Sequence, residues 1–156
     1  MLEIGIPGYR TLTLEHLVLD YNGTMARDGR LIEGTAERLR ALSSSLRLHV
    51  LTADTFGTAQ AQLAAIHCDV RILPGEAQDT GKREYVEALG AQGVVSIGNG
   101  RNDRLMIEAA ALGIAVVQSE GAAAATLAAA DVVAASILDG LDLLLQPRRL
   151  IATLRS

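Results

Sequence analysis

Asp20 ends the apolar run Leu17-Val18-Leu19, and a turn follows at once through Asn22-Gly23-Thr24. A carboxylate at the carboxyl end of a buried strand in an open α/β sheet lies where such folds bind their ligands. The same residues also read as a plain strand-ending turn, because Asn-Gly is a common hairpin dipeptide. This stretch alone leaves the two readings level. A second apolar run, Leu48-His49-Val50-Leu51, ends in Thr52-Ala53-Asp54. A hydroxyl beside free backbone N–H groups can hold a phosphoryl oxygen, although Thr52 or Asp54 taken singly reads better as a helix cap. Lys82 precedes the apolar stretch 93–97 by about one strand–helix step. A point cation there would neutralise a phosphoryl group and an attacking carboxylate together. With Arg83 beside it, the lysine by itself reads as an ordinary surface residue. The fourth stretch is Ser96-Ile97-Gly98-Asn99-Gly100-Arg101-Asn102-Asp103, an apolar strand running into a glycine-rich loop of oxygen donors. Oxygen-only ligand sets with one or two carboxylates suit Mg²⁺, and the plainer alternative is an N-cap at Asn102 or Asp103.

The elements that must position these groups follow from pattern. Leu2 to Ile6 and Thr11 to Leu14 read as an antiparallel ribbon turning at Pro7-Gly8-Tyr9-Arg10 and leading into a central strand, 15–20. Residues 25–32 carry a second turn at Asp28-Gly29 and read as a small hairpin. Helices are expected over 34–45, 58–66, 81–89, 103–112, 122–130 and 138–145, and strands over 46–51, 69–73, 93–97, 114–117 and 131–133. Pro147 is expected to end the last helix, leaving 148–156 as a tail or a short docking helix. Strands alternating with helices at this spacing predict an α/β fold, a three-layer, doubly wound and mostly parallel sheet. Neither a linker nor an internal repeat divides residues 1–156, so one domain is expected.

Composition narrows the function classes. Hydrophobic residues make up 49% and aromatics 3%, so the core must be aliphatic. The net charge of −4, without a basic stripe, argues against a nucleic-acid partner. No apolar run reaches bilayer length and the start lacks a signal-peptide pattern, so neither a membrane association nor export is expected. The single cysteine, Cys68, suits inert core in a reducing cytoplasm. His16, His49 and His67 suggest no Ser-His-Asp arrangement and are expected on strand or helix surfaces.

In a parallel sheet the ends of the strands carrying Asp20, Thr52 and Asn99 share one edge, with Lys82 between them in the chain. This order resembles the haloacid dehalogenase-like (HAD) phosphotransferase superfamily, in which Asp-x-Asp-Gly-Thr is followed by a strand-end Thr or Ser, a Lys, and a Gly-Asp-x-x-x-Asp type loop. Thr52-Ala53-Asp54 and Gly98-Asn99-Gly100-Arg101-Asn102-Asp103 are most similar to the Thr-Gly-Asp and Gly-Asp-Gly-x-Asn-Asp motifs of P-type ATPase phosphorylation domains, and soluble P-type-ATPase-like proteins are the nearest group. The resemblance covers roughly residues 15 to 145. It implies a Rossmannoid fold without a cap domain and a Mg²⁺-dependent phosphohydrolase or ATPase-like enzyme, with Asp20 forming an aspartyl-phosphate. It further implies that Thr52 and Lys82 hold phosphoryl oxygens, with Ala53, Gly23 and Asn102 around them. Asp20, the backbone carbonyl of Asn22, and Asp103 would hold Mg²⁺, with Asn99 and Asn102 assisting. The expected substrate is a phosphorylated small molecule, a nucleotide or a phosphoprotein. An open, capless site also implies a homo-oligomer, a dimer or tetramer.

Two residues depart from the family pattern. Asn22 stands where phosphatases of the superfamily carry the Asp that protonates the leaving group and then activates water. Asn99 replaces an Asp that commonly binds the metal. General acid–base catalysis is worth roughly 10²–10⁴ in rate, so slow turnover on alkyl phosphates is expected, with less need for an acid on phosphoanhydrides or acyl phosphates. The alternative is a catalytically weak relative that binds a phosphorylated ligand or a partner protein. A response-regulator receiver ranks below both, because Glu3 does not supply the acidic pair that fold requires.

Overall fold

The computed structural model describes residues 1–53 and 57–156. An antiparallel ribbon opens the chain, β1 (Leu2–Ile6) against β2 (Arg10–Leu14), with Leu2 opposite Leu14. Its period-two pattern buries Ile4, Ile6, Leu12 and Leu14 and turns the threonines outward. Next come β3 (His16–Asp20) and a hairpin of β4 (Ala26–Arg27) and β5 (Arg30–Leu31). Asp28 and Gly29 between them take φ of 52° and 80°, the two left-handed positions that the tightest hairpin turn requires. Alternating elements follow: α1 (Thr35–Leu42), β6 (Arg47–Thr52), α2 (Ala59–Leu63), β7 (Asp69–Ile72), α3 (Gln78–Leu89) and β8 (Val94–Gly98). A 3-10 turn at Arg101–Asp103 leads into α4 (Arg104–Ala109), and then β9 (Leu112–Val116), α5 (Ala124–Ala129), β10 (Val132–Ala134), α6 (Ile137–Leu145) and α7 (Pro147–Leu154).

Six strands form one sheet in the order β10-β9-β8-β3-β6-β7, and every pairing in it is parallel. The first strand of that sheet, β3, therefore lies inside it, with the chain winding outward on one side through β6 and on the other through β8. The carboxyl end of β3 is the point where winding reverses, and there an open α/β sheet leaves a crevice. Both faces are covered. Leu17 and Leu19 pack with Leu39 and Leu42 of α1 and Leu141 and Leu144 of α6, whereas Val18 packs with Val86 of α3 and Met106 and Ile107 of α4. The expected three-layer, doubly wound arrangement is what the chain adopts.

Several boundaries differ from expectation. The third helix begins at Gln78 rather than Gly81, which moves Lys82 from the first residue or two of the helix into its second turn. The fourth helix ends at Ala109, because Leu112 is drawn into β9 opposite Val95. Pro147 opens α7 instead of only ending α6, since its missing N–H costs nothing in a first helical turn. The segment after it is thus a docking helix, with Leu150 buried against the core that includes β1. His49, expected on a surface, is buried: β6 is an inner strand covered on both faces, so it has no surface to offer. Its Nε2 lies 3.0 Å from His16 Nδ1 and its Nδ1 lies 2.9 Å from the Tyr85 hydroxyl. Among the described residues, no helix is long and apolar enough to cross a membrane.

Candidate active site

Strand register brings the expected groups to one edge. Asp20 pairs with Leu51, one residue before Thr52, and Leu19 pairs with Ile97, two residues before Asn99. The centre of the site is Lys82. It is only 1% exposed, and its Nζ donates to Asp20 Oδ1 at 2.8 Å and to Asp103 Oδ1 at 2.7 Å. Asp103, fully buried, is fixed on its other oxygen by the backbone N–H groups of Asn99 (3.0 Å) and Gly100 (2.9 Å). That fold-back needs Gly98, where a β-carbon would lie 2.6 Å from Asp103 Cβ and Cγ. Asp20 Oδ2 accepts from the Thr24 hydroxyl at 3.0 Å, and the same hydroxyl lies 3.2 Å from Asn99 Oδ1.

One ammonium thus serves two buried carboxylates. Burial and the neighbouring Asp103 push the Asp20 carboxyl up to about 7, against the opposing pull of Lys82 and Thr24. Burial would lower the Lys82 basicity, but the two carboxylates outweigh it and hold the ammonium above its ordinary range. With both acids ionised, the trio carries one net negative charge.

Of the other expected residues, Thr52 is buried at the end of β6 and Ala53 follows it half-buried. Asp54, the last residue of the Thr52-Ala53-Asp54 motif, lies outside the described residues. Gly23 takes φ of 79°, and its α-carbon faces the Asn99 side chain so closely that a β-carbon would lie 2.7 Å from Asn99 Nδ2. Asn22 turns its side-chain oxygen inward, buried and without a hydrogen-bond donor among the described residues. Asn102 is set apart from Asp20's hydrogen-bond network: it is exposed and donates to Gln78 Oε1 at 3.1 Å. It lines a cleft of about 420 Å³ together with Gly75, Ala77, Gln78, Asp79 and Arg101. Gln78 lies four residues before Lys82, on the same face of α3 one turn away, so the Gln78–Asn102 contact sits outside the buried bridge.

Sequence reading missed three residues. Thr24, passed over as part of a turn, holds the Asp20 carboxylate. Gln118 follows β9, and its side-chain amide donates to the carbonyls of Gly23 and Thr24 while its oxygen accepts from Ile137 N at 2.9 Å. It ties the loop after Asp20 to the start of α6. Glu120, two residues on, brings a carboxylate to Gly23: a β-carbon there would lie 2.8 Å from Glu120 Oε2. Nothing local in the sequence marks these contacts, which span about ninety residues of chain or more in the two long-range cases.

No family model matches the chain. An uncharacterised protein of Methanocaldococcus jannaschii is 48% identical over 62 residues, which cover 40% of this chain and 67% of that protein. A Streptomyces avermitilis protein assigned to the HAD hydrolases superposes with a TM-score of 0.69 at 22% identity, over 87% of each chain. The chain shares its fold with these haloacid dehalogenase-like hydrolases. Within that fold, the 3-deoxy-D-manno-octulosonate 8-phosphate phosphatase of Moraxella catarrhalis, solved with magnesium, phosphate and its sugar acid, superposes with a TM-score of 0.71 at 16% identity. The match covers 92% of this chain and 94% of the other. In the present chain, no three His, Cys, Asp or Glu side chains cluster as a metal centre among the described residues. The side-chain oxygens that Lys82 and Thr24 draw together are those of Asp20, Asp103 and Asn99, and the buried Asn22 oxygen lacks a donor among the described residues. This set fits a hard divalent cation that keeps part of its water shell.

Proposed function

We propose that the chain is a Mg²⁺-dependent phosphohydrolase or ATPase-like enzyme that works through an aspartyl-phosphate on Asp20. The observation that carries the reading is the buried Lys82 bridge, which holds Asp20 at the strand end with one oxygen on the ammonium and the other on Thr24. A carboxylate fixed on both oxygens is oriented for attack, and a cation already beside it meets the incoming phosphoryl charge. Thr52 and Lys82 hold the phosphoryl oxygens, with Gly23 and Ala53 around them, and Asn102 lines the approach. Asp20, Asn22, Asn99 and Asp103 would hold Mg²⁺, which supplies neutralisation of the phosphoryl oxygens.

Asn22 cannot protonate a leaving group, so the substrates favoured are those whose leaving group departs as an anion: acyl phosphates and phosphoanhydrides, nucleotides among them. The orphaned Asn22 oxygen also supports a second reading, a weak catalyst that binds a phosphorylated ligand or protein. A phosphate-release panel with ATP, an acyl phosphate and an aryl phosphate, with and without Mg²⁺, separates the two. Asp20→Asn should abolish release, and Asn22→Asp should raise turnover on an alkyl phosphate by about 10²-fold. Release that survives Asp20→Asn would defeat the enzymatic reading, and Mg²⁺ binding without release in any variant would favour the binding one.

A further inference from the structure

Glu120 is exposed and has no hydrogen bond or ion pair among the described residues, and its carboxylate lies over Gly23. Its Oε2 and the Asn99 amide crowd the same face of Gly23, the residue after Asn22. Its loop is tied down on both sides: Gln118 bonds the carbonyls of Gly23 and Thr24, and the Gly121 carbonyl accepts from Asn99 Nδ2 at 3.1 Å. The carboxylate is therefore held at the mouth of the Asp20 site by its backbone, while the side chain remains unengaged. An unpaired carboxylate over Gly23, three residues past the nucleophile, suits a base for a water that approaches Asp20 from that side.

We infer that Glu120 is the general base for hydrolysis of phosphoryl-Asp20, deprotonating the attacking water. The inference rests on the phosphohydrolase reading above. In the step, the water oxygen bonds to phosphorus as the bond from phosphorus to the Asp20 oxygen breaks, and that electron pair returns to the Asp20 carboxylate. One water proton stays on the phosphate as its hydroxyl, and the other passes to Glu120 and then to solvent. The first half-reaction does not use Glu120, so substitution there slows only the second.

The test is trapping of the acid-stable phosphoenzyme from labelled acetyl phosphate in the presence of Mg²⁺, followed by a chase. Glu120→Gln should form phosphoenzyme at the wild-type rate and lose it about 10²-fold more slowly, so that it accumulates. Glu120→Asp should retain part of the hydrolysis rate, and formate added to Glu120→Ala should restore it in proportion to concentration, which a structural role for the side chain would not produce. Wild-type phosphoenzyme that decays equally fast in Glu120→Gln overturns this inference and leaves the phosphohydrolase reading standing. Absence of any Asp20-dependent phosphoenzyme in the wild type overturns both.

Discussion

Replacing Asp20 by Asn should stabilise the metal-free protein at pH 8. The buried trio has one ammonium for two carboxylates, and the Asp20 carboxyl is raised from 3.8 to about 7. A folded-state value above the unfolded one means that the native protein holds this proton more tightly than the unfolded chain. The stability linked to it is complete below about pH 4 and is lost as pH rises to 7 and beyond. At about 1.4 kcal/mol for each pH unit between those values, the loss reaches about 4.4 kcal/mol as an upper bound. Asn keeps the shape of the protonated acid: its oxygen can accept from Lys82, and its amide can donate to Thr24. Urea denaturation in EDTA at pH 5, 6, 7 and 8 reads the effect as the variant minus the wild type, so titrating groups outside the buried trio cancel. The difference should be smallest at pH 5 and grow to about 2–4 kcal/mol in favour of Asn at pH 8. A difference that stays flat with pH, or a wild type more stable at pH 8, would refute the claim that one lysine leaves the pair under-neutralised.

Removing the cation instead, by Lys82→Met, should cost about 3–5 kcal/mol at pH 8 and less at pH 5, where Asp20 takes up a proton; the same urea series checks it. Gly98→Ala should lose about 1–3 kcal/mol by overpacking and phosphate release with it, because the new methyl displaces Asp103 from Lys82; an unchanged melting temperature would contradict this. Magnesium affinity by calorimetry should rise up to about tenfold per pH unit towards pH 7 and then level off, since the ion competes with the Asp20 proton. Heats that do not depend on the buffer would show that no proton is released.

The sheet was legible because its strands are short apolar runs ending in polar residues, and because the helices between them keep a 3.6-residue period. Boundaries slipped where tertiary contacts overrode local signals. Gly81 reads as a helix start, yet α3 begins one turn earlier, with Gln78 held by Asn102 and Lys82 held by two carboxylates across the sheet edge. Pro147 marks a helix boundary from either side, and the sequence does not say which. Asp20, Lys82 and Asp103 were found through the order of motifs, which is a property of the chain alone. Thr24, Gln118 and Glu120 were not, because their value lies in what they touch. A Gln whose amide clasps two carbonyls of a distant loop looks in sequence like any other Gln after a strand. His49 was misplaced for a related reason: polarity argued for a surface, while the strand's position inside the sheet and a partner at His16 decided otherwise.

The two asparagines belong to the same electrostatic balance as the lysine. Acids at positions 22 and 99 would set four carboxylates around one ammonium, a cluster that only a tightly bound divalent ion could hold together. With amides there, the site closes on its own bonds. Lys82 reaches both acids, Thr24 holds Asp20, and two backbone N–H groups hold Asp103. Such a site is organised before metal arrives, so metal binding need not supply the free energy of assembly, but it also offers the ion less charge. The missing carboxylate function then has to come from a group that is not part of the buried cluster, where its charge adds little to the repulsion. An exposed acid beside Gly23 meets that condition, and Glu120 is placed there.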